Sequence, residues 1–471
     1  MIRSLSALSG LMGVSLLTMA GPGWAQSPAA PPAEAAAPAL GPLRLTEAMA
    51  AAYETNPQLA EARSAVAALD QNVAQANAGW RPSINASVEQ GYDHGTIASF
   101  PPQDTRPTIG QVTVTEPLFR GGRTDAEISR AEAQVHAGRA QLVSTEQSVL
   151  LGAVTAYMDV LRDTETVNYS HDNVRSLQDQ LNDVQTELSA GAVTRTDAYQ
   201  AQARLARAKA DEVTAENRLS ASRAQFLNVI GRPVESLSPD ISLPHLPTTK
   251  DVALDIALKQ NPDLDQARQN ERAANYAIDD AVGALMPEVS VSGQYQYLLN
   301  APNSSIFGLG NRQQVLSVLG QVNVPIYQGG ADEAAVRKAK DLHEQSSMAM
   351  ASAERGVRQN LDSAWETFKA ADLAITAYGN QVTADQNAVS GLKQEQQAGE
   401  RSVIDTLNAQ QELFQTQVQL ATAQHDRVVA AYRLLAVTGQ LTARSQGLNV
   451  AIYDPQKHYD ENAGAWFGFD K

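Results

Sequence analysis

Cysteine is absent from the 471 residues. A disulfide framework, a thiolate metal centre and a lipidated N-terminal cysteine are therefore excluded. No segment after residue 25 is apolar for the ~20 residues that a membrane-crossing helix needs. Basic charge is also scarce: 36 Lys and Arg stand against 52 acids, a formal charge of −16, which argues against nucleic acid as a partner. The seven histidines show no His-x-x-x-His spacing, so no zinc or other metal site is expected. No serine or cysteine nucleophile signature occurs, and Gly308-Leu-Gly310 punctuates a loop without a following helix. Neither an enzyme nor a bound cofactor is expected.

Proline is missing where it matters most. All 21 prolines lie outside two windows, 118–232 and 326–454, which are rich in Ala, Gln, Glu and Leu. Proline breaks helices, so these windows read as very long helices. Val174, Leu177, Leu181, Val184 and Leu188 recur in steps of three and four, the coiled-coil pattern. A glycine-containing turn interrupts each window, SAGAVTRTD at 189–197 and QAGERSVID at 397–405. Each window is thus an antiparallel helical hairpin, the first arm of which would be ~100 Å long at ~1.5 Å per residue.

The chain says the same thing twice. NPQLAEAR at 56–63 returns as NPDLDQAR at 261–268, and EPLFRGG at 116–122 returns as VPIYQGG at 324–330. Gly191, Asp197 and Gly231 recur 208 positions on as Gly399, Asp405 and Gly439. The expected plan is a first repeat over 43–246, a second over 247–439, and a C-terminal segment over 440–471. The hairpins fall at about 123–230 and 330–438. The Asn-Pro pairs read as helix starts, Asn capping and Pro opening the first turn. Ahead of each hairpin, alternation of apolar and polar residues marks two strands. These cover about 83–93 and 108–119, then about 288–299 and 313–327. The stretches 94–107 and 300–311 join them as loops rich in turn formers. The start of the chain, with Arg3 and an apolar core over 5–20, reads as a signal peptide over 1–25. An Ala/Pro-rich linker follows over 26–42.

Strands of about eleven residues suit a tilted crossing of an outer membrane. Four strands, however, close around nothing, since small barrels need about eight. Left open in lipid, their edges would strand backbone groups at several kcal/mol each. If these strands cross a membrane, the barrel must therefore be shared between chains; the alternative is a small soluble sheet capping the coiled coil. Trp80, beside Pro82 at a helix-to-strand junction, fits either an interfacial aromatic belt or a packed junction.

The duplicated order of helices and strands, the Pro-Leu-Phe-x-Gly-Gly and Pro-Ile-Tyr-x-Gly-Gly strand exits, and the glycine turns closely resemble the TolC family of outer-membrane efflux proteins. The resemblance spans about 43–439, and the tail VAIYDPQKHYDENAGAW at 450–466 is similar to that of alphaproteobacterial members. It implies a mostly α protein with a small β part, four transmembrane strands per chain. As a homotrimer it would form a twelve-stranded barrel and a twelve-helix periplasmic tunnel. It further implies an exit duct for efflux or type I secretion that meets outer-membrane lipid. The implied partners are a periplasmic adaptor (membrane fusion) protein and an inner-membrane pump or ABC exporter.

By the same resemblance the hairpin turns form the periplasmic entrance. The matching gate positions are Thr196, Asp197, Gln396, Arg401, Asp405 and Asn408. The adaptor-facing tips are Gly191, Ala192, Gly399 and Glu400. Here the sequence departs from the family: Asn408 replaces an acid and Gln396 a tyrosine, leaving one acidic ring, at Asp405, able to attract cations. A plainer reading stands beside this. Thr194-x-x-Asp197 and Ser402-x-x-Asp405 each fit a capping box. Two other classes share long helical hairpins, a periplasmic coiled-coil adaptor and a soluble structural coiled coil. Adaptors usually carry one hairpin and many short strands, whereas this chain has two hairpins.

Overall fold

The computed structural model describes residues 42–96, 102–300 and 312–466. The signal peptide, residues 26–41 of the linker, and Gly308–Gly310 lie outside the described residues. Two short helices, α1 (Leu45–Thr55) and α2 (Pro57–Asn77), lead through a 3-10 turn (Ala78–Trp80) into β1 (Ser83–Gln90). A two-stranded ribbon, β2 (Asp93–Gly95) with β3 (Gln103–Thr105), precedes β4 (Thr108–Arg120). Then come the first hairpin, α3 (Arg123–Ser189) and α4 (Arg195–Ile230), and the repeat of the plan. That repeat comprises α5 (Lys250–Gln260), α6 (Pro262–Gly283), β5 (Glu288–Leu299), β6 (Arg312–Asn323), α7 (Ala331–Gln397) and α8 (Val403–Val437). Helix α9 (Pro455–Asn462) follows.

The four longer strands form one antiparallel sheet in the order β1-β4-β5-β6. Two details differ from the alternation reading. The first strand stops at Gln90, and the stretch 94–107, expected to be loop, contains ribbon residues. Pro107 explains the break: it has no N–H to donate, so the ladder lapses there and resumes as β2–β3. The last strand ends at Asn323, short of 327. Asn323 pairs with Glu288, the first residue of β5, so beyond it no partner remains. Pro117 is tolerated within β4 because β1 reaches only as far as Thr115, leaving one side of the strand without a ladder.

The repeated Asn-Pro motif does more than start helices. Asn56 accepts from the Gln58 N–H, and its amide donates to Val229 O at 3.3 Å. Asn261 accepts from the N–H groups of Asp263 and Leu264 and donates to Val437 O at 2.9 Å. In both repeats, therefore, the cap of the shorter helix also satisfies a carbonyl at the end of the second hairpin arm. The main apolar cluster sits around this level. It joins Met49, Leu59, Leu150, Phe226 and Leu435 to Leu441 and Leu448 of the segment after α8. Tyr157 is fully buried there, with its hydroxyl 2.8 Å from Leu43 O and 2.7 Å from Ser238 O. Burial pushes its pKa up to about 12.

Candidate functional site

Register decides which residues share each face of the sheet. One face reads, strand by strand, Ile84-Val114-Gly293-Val318, then Ala86-Val112-Tyr295-Leu316. The opposite face reads Asn85-Thr113-Gln294-Ser317, then Ser87-Gln111-Gln296-Val315. One surface is thus apolar and the other amide- and hydroxyl-rich, the segregation of a barrel wall between lipid and water. The apolar face is bare: Ile84, Leu316 and Val318 are each at least 70% exposed. Among the described residues, no strand lies beside the outer edges of β1 and β6.

At the far end stand the two hairpin turns. Gly191 (φ +76°) and Gly399 (φ +78°) close them in the left-handed region, where a side chain is disfavoured by ~1–2 kcal/mol. The N–H of Ala192 returns to Glu187 O, and that of Glu400 to Glu395 O, both at 2.9 Å, finishing the preceding helices. Gly191, Ala192, Gly399 and Glu400 are exposed.

Both acids act as caps. Asp197 accepts from the Thr194 N–H at 2.9 Å and hydroxyl at 2.8 Å. Asp405 accepts from the Ser402 hydroxyl at 2.8 Å and N–H at 3.2 Å. Those two bonds, followed by the neighbouring Arg401 charge, hold the Asp405 carboxyl below the usual carboxylate range. Arg401 itself is engaged within its own hairpin, its Nε 3.2 Å from Glu395 Oε2. Thr196 is exposed.

The remaining pair joins the hairpins. Gln396 accepts from buried Gln180 at 3.1 Å, and Asn408 accepts from Arg204 at 2.8 Å. Around them Leu177, Leu181, Val184, Leu205, Val403 and Leu407 form an apolar cluster that clamps the start of α8 against α3 and α4. Sequence reasoning missed Gln180 and Arg204. Gln180 carried a signal, for it interrupts the apolar seam between Leu177 and Leu181. Arg204 carried none.

A second polar network ties α3, α4 and α8 nearer the middle. Asp163 accepts from Arg162 Nε at 2.8 Å and from the Ser222 hydroxyl. His425 lies between Asp159, at 3.0 Å, and Asp426, at 2.8 Å. Burial opposes charging of the His425 ring, but the two carboxylates outweigh it and raise its pKa. Among the described residues, no cluster of acids and histidines could hold a metal ion.

A two-faced sheet carried on duplicated helical hairpins, with polar links at the turns, defines a channel of the outer membrane. Residues 49–232 and 253–440 match the family model described as Outer membrane efflux protein, and the chain belongs to that family. It is 33% identical to the outer membrane efflux protein BepC of Brucella suis, over 90% of this chain and 91% of BepC. It is 23% identical to the outer membrane protein TolC of Vibrio cholerae, over 86% of this chain and 94% of TolC. The fold matches the outer membrane protein VceC of Vibrio cholerae with a TM-score of 0.74 at 16% identity, over 84% of this chain and 96% of VceC. The protein is an outer-membrane efflux or secretion channel with a large periplasmic portion.

Proposed function

We propose that three copies close into a twelve-stranded barrel continued by a twelve-helix tunnel. This duct carries small molecules or polypeptides from an inner-membrane pump to the outside. The observation that carries the reading is the four-stranded sheet, with one apolar face and two unpaired edges. Unpaired N–H and C=O groups in hydrocarbon cost several kcal/mol each, so β1 of one copy is completed by β6 of the next. The helices agree with this. Only Ala339, Val357, Leu361, Ala364 and Ala371 of α7 are buried in the single chain, whereas its counterpart α3 is buried along most of its length. On the other flank α4 exposes Tyr199, Val213 and Leu227. Unlike flanks that meet head to tail close a ring. The likeness to the TolC family supports three members in the ring.

The turns of the hairpins are the periplasmic entrance, and their exposed tips meet the hairpin tips of an adaptor. In this entrance Gln396 and Asn408 give neutral links, Arg401 stays with its own hairpin, and Asp405 supplies the single acidic ring. Asp405→Asn removes the charge and keeps an oxygen for the cap. It should weaken block of single-channel current by a multivalent cation several-fold in planar bilayers, with the trimer intact. Unchanged block removes Asp405 from the gate, and loss of the trimer reduces it to a cap. A preparation that never conducts overturns the channel reading.

A further inference from the structure

The segment after α8 has a partner at every step along α2 and into the turn beyond it. The Arg63 guanidinium lies 4.7 Å over Tyr53 and 5.4 Å over Tyr453, whose N–H donates to the Tyr53 hydroxyl at 3.2 Å. One helical stretch further on, His458 Nδ1 is 2.8 Å from Oδ2 of Asp70, a fully buried carboxylate. Arg139 donates to Gln456 at 2.7 Å and stacks 5.3 Å over Tyr459. The Asn77 amide donates to Ala463 O at 3.1 Å. Arg81 donates to Ala465 O at 2.5 Å and Gly464 O at 3.3 Å, and its guanidinium covers the Trp466 ring at 4.7 Å. Residues 453, 458, 463 and 466 thus meet 63, 70, 77 and 81 in order. The segment climbs beside α2 toward the sheet.

The height at which it arrives is fixed. Gly79 is packed so closely on the end of β4 that a Cβ there would lie 2.8 Å from Arg120 Nη1 and 2.9 Å from the Thr124 side chain. Arg81 and Trp466 therefore stand at the helix-facing rim of the sheet. There Trp466 is 61% exposed and Trp80 37% exposed. A ring that is apolar on its faces, carries one N–H and sits beside a cation matches the boundary between phosphate headgroups and acyl chains.

We infer that Trp466, held by Arg81, is a membrane anchor seated in the phospholipid headgroup layer on the periplasmic side, where it fixes the height of the tunnel against the bilayer. The inference rests on the reading that the apolar sheet face meets lipid. A covering neighbour copy is the competing occupant.

The test uses the full chain with Trp466 as its only tryptophan (Trp24, Trp80 and Trp365→Phe), reconstituted in phospholipid vesicles with acyl chains brominated close to the headgroup. Trp466 emission should fall roughly twofold relative to unbrominated vesicles, as for an interfacial ring. A companion variant, with Trp466→Phe added and Leu316→Trp as the sole tryptophan, reports the sheet in matching vesicles brominated near the ends of the acyl chains, at mid-bilayer depth. Quenching at 316 without quenching at 466 overturns the anchor and leaves the sheet in lipid. Quenching at neither position overturns the membrane reading itself, and the anchor with it.

Discussion

Leu316→Arg should lower the yield of assembled trimer in outer-membrane fractions by at least roughly tenfold, because an arginine on the lipid face at mid-bilayer costs ~2–4 kcal/mol per copy. Ser317→Arg, one residue on, should leave the yield near normal. The contrast follows from register alone. Leu316 shares its row with Tyr295, Val112 and Ala86, whereas Ser317 shares its row with Gln294, Thr113 and Asn85. Position 316 is the fifth residue of the twelve-residue strand β6, far from either interface. In the proposed ring every copy carries the substitution, so the cost is repeated around the barrel. Unboiled gel electrophoresis of outer-membrane fractions reads the result. Equal yields from the two variants would mean that the apolar face does not meet lipid.

Gly439→Ala should be the most destabilising of the glycine-to-alanine changes in the helical part. Gly439 has φ +78°, and an added Cβ would fall 2.1 Å from Gln260 O, a backbone atom that cannot swing aside. Strain of ~1–2 kcal/mol from the left-handed conformation then adds to a displacement of α8 from the Asn261 cap, for about 3–5 kcal/mol in all. Gly231 occupies the equivalent place in the first repeat, with φ +80°. Its Cβ would meet the Thr55 hydroxyl at 2.6 Å, a side-chain atom that can rotate away. Gly399 has open space around it, so Gly399→Ala costs only the conformational strain, ~1–2 kcal/mol. The thermal unfolding temperature of the purified protein should therefore fall in the order Gly399→Ala, Gly231→Ala, Gly439→Ala, with Gly439→Ala the lowest. A Gly439→Ala protein as stable as Gly399→Ala would refute the close-approach argument.

The structural features behind these two results differ in how visible they are in the sequence. The hairpins were legible because proline is excluded over two long windows and glycine ends their first arms, which are local effects. The strands were legible by alternation, but their ends were not. Pro107 halts the first ladder and the start of β5 halts the last, and both depend on the partner strand. The second bond of each cap asparagine, to Val229 O and Val437 O, spans more than 170 residues and leaves no local pattern. The capping boxes at Asp197 and Asp405 were readable because their partners are three residues away. The Arg204–Asn408 link was not, since it joins two helices whose spacing only the folded bundle sets. The C-terminal climb along α2 is built from single cations over aromatic rings and carbonyls, with no periodicity to betray it.

Amide hydrogen exchange on the detergent-solubilised protein, resolved along β1 (Ser83–Gln90) and β6 (Arg312–Asn323), tests the central claim most directly. If each outer edge is paired with a neighbouring copy, every second amide that points away from β4 or β5 exchanges as slowly as the amides inside the sheet. If those alternate amides exchange at the rate of exposed backbone, the edges are bare, the wall is not shared, and the account fails.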